Sequence, residues 1–433
     1  MRQGKLLLML FLLIAFNGLS AQEKLAFTLQ EAKEYALEYN KTVRNSGLKV
    51  TQAREKLWET ISAGLPQVNA STDYTNAMGA KMSIQFQEGQ DPTEIPIKPS
   101  SNFNLQVGQL LFNGGYLVGI QVSKLYEKLS EKSLVKTERE VLSQLAETYY
   151  LALVADESLR ILKANTDNLQ DIYQKTEPVI AVGMREKVEL DQLLVQLNSL
   201  KNAMNSAERQ YEMVKNMLRL QLGVSSETEI ELTDKLLDIM AANETVPDRS
   251  ATFNINQNID FQLMGIQEEM VQKQLDLQKS NYLPTLTGYY SFTHKILKPA
   301  FDMSPPHVVG VQMNIPVFSS GERRSKVRQA KIDLETTQNN KSLLEDQLTI
   351  QYKQLLFNLK SALESYENQR KNIEVSREIY NSLKNKYAQG VISGLELTSA
   401  DNNYLKAESD LLSATLEVLK AQNELDTLTG NIK

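Results

Sequence analysis

The side chains able to do covalent or metal chemistry are few and scattered. The chain has no cysteine and only two histidines, His294 and His307, with Met303 between them. Lack of cysteine excludes disulfides, thiolate metal sites, a cysteine nucleophile and a lipidated N-terminal cysteine. The two histidines flank one Pro-containing loop without a companion carboxylate pattern, so no metal is expected there. No nucleophile elbow, phosphate-binding loop, zinc helix or catalytic carboxylate pair stands out, and neither catalysis nor a cofactor is expected. Most carboxylates follow helix-surface spacing, as solvated faces do. Ser393-Gly394-Leu395-Glu396 is itself a capping-box pattern. Arg323, Arg324, Lys326 and Arg328 follow a strand directly, where they can meet lipid headgroups or water.

A different chemistry, that of a surface with one wet and one greasy side, is written in four short runs. Within 285–293, Leu286, Gly288, Tyr290 and Phe292 fall on one side and Thr285, Thr287 and Ser291 on the other. Within 307–318, Val309, Val311, Met313, Ile315 and Val317 oppose Gln312 and Asn314. The runs 67–76 and 102–112 alternate likewise, with Val68, Ala70 and Tyr74 in the first and Phe103, Leu105 and Val107 in the second. Period two predicts half-buried strands. Each run is near the ~9–11 residues that a tilted strand needs to cross a bilayer.

The elements that must carry these strands are long helices, laid down twice. Leu65-Pro66 matches Leu283-Pro284, and Asn40 matches Asn258 at the same spacing. Farther on, Gly183 matches Gly390, Glu189-Leu190 matches Glu396-Leu397, and Gly223 matches Gly430, at a shorter spacing. The change falls in the loop between the first pair of strands, longer in the first copy. The expected organisation is a first repeat over 22–223, an irregular segment over 224–254 packed beside the helices, and a second repeat over 255–433. A capping box at Thr28-Leu29-Gln30-Glu31 opens a helix expected to run to about Ala63, and 77–101 reads as a long polar loop. In the last helix Ala400, Tyr404, Ala407, Leu411, Ala414, Val418, Ala421, Leu425 and Leu428 step by three and four, a coiled-coil seam. The first copy is expected to use Leu190, Leu194, Leu197, Met204, Ala207, Tyr211, Val214 and Leu218.

Arg2 and Lys5 precede an apolar run and Asn17-Gly18-Leu19-Ser20-Ala21, which predicts a secretory signal over 1–21. The 47 Lys and Arg against 53 Asp and Glu give −6, or −8 without Arg2 and Lys5, and nucleic acid is not an expected partner. An exported chain with strands fit for lipid must close them into a barrel, because an unpaired edge in hydrocarbon costs several kcal/mol per backbone group. Four strands fall short of the usual minimum of ~8. Several chains must pool them, and three chains give twelve.

The order of these elements, the duplication and the Leu-Pro strand entries resemble the TolC-like outer membrane efflux protein family. So do Ile315-Pro316-Val317-Phe318-Ser319-Ser320-Gly321-Glu322-Arg323-Arg324, and Tyr387-Ala388-Gln389-Gly390 followed by Leu395-Glu396-Leu397. The likeness covers about Ala26 to Ile432. It implies a mainly α fold with a membrane β-barrel portion: a homotrimer with a twelve-stranded barrel in outer-membrane lipid of a Gram-negative cell and a periplasmic α-helical barrel. It further implies a passive exit duct for tripartite efflux or type I secretion. The partners implied are a periplasmic adaptor (membrane fusion protein) and an inner-membrane transporter of RND, ABC or MFS type.

By the same resemblance, Glu189 and Glu396 fall at the acidic positions that line the closed periplasmic end. A further acidic position falls on Ser399, a departure that Asp191 can make good. Gly183 and Gly390 fall at the hairpin turns that meet the adaptor. A non-conducting coiled-coil or adhesive envelope protein is the alternative, against which the strand pairs argue. A periplasmic adaptor would carry lipoyl-like β segments, and none is visible.

Overall fold

A computed structural model describes residues 24–85, 89, 91–243, 253–298 and 304–431. The expected signal segment 1–21, Pro247 of the inter-repeat segment and Met303 lie outside the described residues. In chain order the elements are β1 (Lys24–Phe27), α1 (Leu29–Tyr39), α2 (Lys41–Ser62), β2 (Gln67–Thr75), β3 (Lys81–Ile84), β4 (Thr93–Pro96) and β5 (Ser100–Asn113). Then come α3 (Gly114–Ala181), α4 (Lys187–Leu222), β6 (Glu229–Leu232), α5 (Leu236–Asn243) and α6 (Ile259–Ser280). The chain ends with β7 (Thr285–Leu297), β8 (His307–Asn314), α7 (Glu322–Ala388) and α8 (Gly394–Thr429). Contacts divide these into two units, one of residues up to Gly47, Ser133–Gln262 and from Leu344 on, the other of Leu48–Lys132 and Leu263–Leu343.

The first unit is helical and is held by a device that occurs once per repeat. The sequence predicts one helix from Thr28 to about Ala63; the structure breaks it at Asn40, whose ψ of 124° leaves the helical region. The Asn40 carboxamide oxygen accepts the N–H groups of Thr42 and Val43 at 2.8 and 3.2 Å, which caps α2. Its Nδ2 donates to the Gln221 carbonyl at 2.6 Å, one of the last carbonyls of α4. Asn258 repeats this, accepting from Asp260 and Phe261 and donating to the Leu428 carbonyl of α8 at 3.0 Å. Both asparagines are buried, and each settles donors and acceptors from two helix ends at once.

The helix ends that receive these bonds close in left-handed glycines, Gly223 at φ 77° and Gly430 at φ 80°. Each makes the paired C-terminal bonds: Gly223 N–H to Leu220 and Val224 N–H to Arg219, then Gly430 N–H to Thr427 and Asn431 N–H to Asp426. A Cβ at Gly223 would stand 2.4 Å from the Tyr39 carbonyl oxygen, so this position excludes any other residue on both conformation and space.

The segment expected to be irregular contains β6 and α5. β6 pairs in parallel with β1, and both Ile230 and Met240 are buried. The Asp234 carboxylate accepts from Leu29 N–H at 2.7 Å and from the Tyr149 hydroxyl at 3.0 Å. The capping box at Thr28 and Glu31 is present. Along α8 the core takes Leu397, Ala400, Ala407, Ala414, Val418, Ala421, Leu425 and Leu428, the seam the sequence predicts. In α4 Leu197, Val214 and Leu218 are buried as the sequence predicts, but near the start of the helix Leu193 is buried in place of Leu194, which is exposed. Leucines at both 193 and 194 satisfy a three-four step, and only packing chooses between them.

The second unit carries the antiparallel sheet, in the order β2-β5-β7-β8. Register joins the apolar positions into one face: Val68 opposite Val107, Val107 opposite Tyr290, Tyr290 opposite Val309, and in the next row Ala70, Leu105 and Phe292. These side chains pack on no core of their own, and Val309 is 79% exposed. The other face is polar. Asp73 accepts from Asn102 and Asn104 at 2.9 and 3.0 Å, and Asn104 accepts from the Thr293 hydroxyl at 2.9 Å. β7 runs on to Leu297, beyond the expected residue 293, and β8 stops at Asn314 before Pro316, which has no N–H to give a ladder. The expected polar loop 77–101 holds a hairpin, β3 with β4, joined by Lys81 to Glu94 at 2.6 Å. No described helix is long and apolar enough to cross a membrane.

Asn40→Ala and Asn258→Ala each remove a cap and leave a helix-end carbonyl unmet. Each is expected to cost about 1–2 kcal/mol, read as a lower urea midpoint in detergent, and Gly223→Ala is expected to cost more than either.

Candidate functional site

The expected site residues cluster at the two turns of the first unit where α3 meets α4 and α7 meets α8. Gly183 at φ 75° and Gly390 at φ 78° end their helices. The bonds are again duplicated: Met184 N–H reaches the Val179 carbonyl, and Val391 N–H reaches Lys386. α3 is weakened just before its turn by Pro178, and α8 is opened by Ser393, whose hydroxyl accepts the Glu396 N–H at 3.3 Å. Apolar side chains crown the turns, with Met184 at 78% and Val391 at 68% exposure.

Glu189 has a cationic partner that the sequence reading did not name. Arg185, one turn earlier, holds its carboxylate at 2.9 Å, and both side chains are largely covered. The same guanidinium donates to the Tyr387 carbonyl at 2.6 Å and lies 4.1 Å from the Tyr387 ring centroid. One arginine therefore joins the first hairpin to the second through a hydrogen bond and a cation–π contact, while its ion pair to Glu189 holds it in place within the first. Tyr387 is anchored from the other side, its hydroxyl 3.2 Å from Thr176 of α3. Gly394 completes the contact: a Cβ there would come within 3.5 Å of the Glu189 Cβ. A cavity of ≈ 560 Å³ opens beside this joint, lined among others by Lys175, Met184, Arg185, Lys384 and Tyr387.

The structure thus brings Glu189 against the start of α8, two residues before Glu396. Glu396 and Asp191 are exposed at the surface of their helices. Sequence reasoning missed Arg185 and Tyr387 as a joint. The i,i+4 spacing of Arg185 and Glu189 was a usable signal; the contact to Tyr387, 202 residues away, had none.

The two histidines go to different neighbours. His307 Nδ1 lies 2.8 Å from the Tyr290 hydroxyl with Phe292 beside the ring, whereas His294 pairs across to Phe103. Among the described residues no group of three or more His, Cys, Asp or Glu is placed to hold a metal.

Comparison with known proteins adds the following. A family model described as outer membrane efflux protein matches residues 33–224 and 254–431. The chain is 21% identical to the probable outer membrane lipoprotein SilC of Salmonella typhimurium, over 91% of this chain and 83% of that one. It is 20% identical to the proteases secretion protein PrtF of Dickeya chrysanthemi, over 98% of this chain and 92% of the relative. Its fold matches the outer membrane channel CmeC of Campylobacter jejuni with a TM-score of 0.72 at 20% identity, over 93% of this chain and 85% of the other.

Arg185→Ala removes both contacts to Tyr387 and the ion pair to Glu189. Amide hydrogen exchange over 183–190 and 387–394 is expected to speed up roughly ten- to a hundredfold, as the loss of about 1–3 kcal/mol implies. Exchange in β7 is expected to stay as it was.

Proposed function

Because this chain belongs to the outer membrane efflux protein family, we propose that three copies of it assemble into one exit duct. Each chain is an outer-membrane channel subunit with a mainly helical, tandem-duplicated fold and a long periplasmic extension. The observation that carries the trimer is the sheet. Among the described residues β2 is bonded only to β5 and β8 only to β7, so both outer edges have backbone groups to offer. In lipid those groups must be met, and a β2 edge meeting the β8 edge of the next copy does so without any new element. Three copies supply twelve strands, enough to leave a water-filled lumen. The face bearing Val68, Val107, Tyr290 and Val309 then meets lipid, and the Asp73–Asn102–Asn104–Thr293 face lines the water.

The hairpin turns at Gly183 and Gly390 are the docking points for a periplasmic adaptor, supported by the exposed Met184 and Val391 beside them. Energy comes from an inner-membrane transporter of RND, ABC or MFS type, since a duct performs no chemistry. Glu189, Asp191 and Glu396 form the constriction at that end. Three-fold carboxylate rings concentrate cations and repel anions at close quarters. Arg185 offsets Glu189, which leaves Glu396 and Asp191 with most of the exposed charge. Opening requires the Arg185–Tyr387 joint, or the contacts between neighbouring copies, to give way.

Purified mature protein in planar lipid bilayers is expected to show small, cation-selective currents and to cross-link as a trimer. Glu189→Ala combined with Glu396→Ala is expected to enlarge the currents and weaken the selectivity. Unchanged currents in the double variant would return these carboxylates to helix capping. Verified, inserted protein that never conducts would favour a structural coiled-coil role instead.

A further inference from the structure

Asp401 lies two turns into α8, inside the apolar cluster that closes the helical hairpins, and is only 2% exposed. Its Oδ2 has no hydrogen-bond partner. Every element around it can be named. From α7 come the Tyr380 hydroxyl and the Lys384 ammonium, both of which favour the charged carboxylate. From α3 comes Asn168, whose Nδ2 donates to the Tyr380 hydroxyl at 2.5 Å and whose oxygen accepts from Lys384. α4 contributes only leucines to the cluster, Leu193, Leu197 and Leu200. On α8 itself lie Tyr404 and Glu408; Arg377 of α7 donates to the Tyr404 hydroxyl at 3.2 Å, and Asn165 of α3 donates to Glu408 at 3.2 Å. A carboxylate with one oxygen unmet in such a place is costly when charged and cheap when neutral.

We propose that Asp401 is a proton-operated clasp: protonated, it lets α8 pack against α3 and α7, and ionised, it loosens that packing near the hairpin turns. The neutral carboxyl carries no charge into the cluster, and burying it costs far less than burying the carboxylate. The electrostatics run the same way. Burial, and after it the Glu408 charge, push the Asp401 carboxyl up to about 6 from an ordinary 3.8, against the pull of Lys384 and Tyr380. The packed state therefore holds the proton more tightly than a loosened one. Its advantage is fully present below the ordinary value and is lost as pH rises through the folded value. Between about pH 7.5 and about pH 5, the ratio of packed to loosened forms is expected to rise about tenfold. The consequence for transport rests on the duct reading above: acid outside the cell would hold the periplasmic end shut.

The test is amide hydrogen exchange, corrected for intrinsic rate, over 165–172, 380–384 and 397–404 of the full mature protein. Wild type is expected to be about tenfold better protected at about pH 5 than at about pH 7.5. Asp401→Asn is expected to lose that dependence, and Glu396→Gln to keep it. Lys384→Met, which removes the opposing cation, is expected to move the midpoint to higher pH. A wild type protected alike at both pH values overturns the proposal even if no variant folds, as does a folded Asp401→Asn that keeps the response. Exchange reads the cluster and conductance reads the duct. A conducting protein without the pH response sinks only the clasp, and a pH-responsive protein without conductance sinks only the duct.

Discussion

A backbone group at a helix end inside a protein must be met by something, and in this chain one asparagine per repeat meets three of them. Asn40 and Asn258 each accept two N–H groups that start one helix and donate to a carbonyl that ends another. That single side chain decides where the α1 path stops and α2 begins, and where α4 and α8 must finish. The left-handed glycines at 223 and 430 follow from the same constraint, since the chain has to turn away beside the asparagine without a Cβ. Aliphatic seams hold the helices together along their length, but they tolerate sliding. The asparagines fix the register.

What the sequence made legible was whatever repeats over a long stretch. The three-four stepping of α8 put Ala400, Ala414, Val418, Leu425 and Leu428 in the core, and there they are. Alternation located the sheet because register and period are tied: a slip of one residue would expose its apolar face to the lumen. Features built from one or two contacts were not legible. The break at Asn40 has no Pro or Gly to announce it, and its cause is a hydrogen bond to Gln221 far along the chain. β6 is four residues long, too short for a period to show, and its partner β1 lies at the other end of the repeat. The carboxylates at 189, 191 and 396 carried the sequence reading of the site, yet the partner that most changes Glu189, Arg185, was not singled out.

Two solvents act on this chain. In the first unit apolar side chains are buried against one another, as in any protein in water. In the second, a face of valines and aromatics is left without a core among the described residues, while the polar face is tied by Asp73, Asn102 and Asn104. An outer-membrane location reconciles the two, because lipid is the medium in which that face is at rest and water the medium for the other.

The joint at Arg185 also breaks a symmetry. Gly183 and Glu189 have counterparts in Gly390 and Glu396, but the residue standing where Arg185 stands is Ile392. The backbone of the two hairpin ends is nearly the same; their electrostatics are not. Around the proposed trimer, six turns that look equivalent in outline would alternate between a neutralised and a bare carboxylate. A partner that meets all six would read a three-fold pattern of charge on a six-fold pattern of shape, and so could dock in only three orientations where the shape alone offers six. Duplication made the ring, and divergence at one residue gave it a direction.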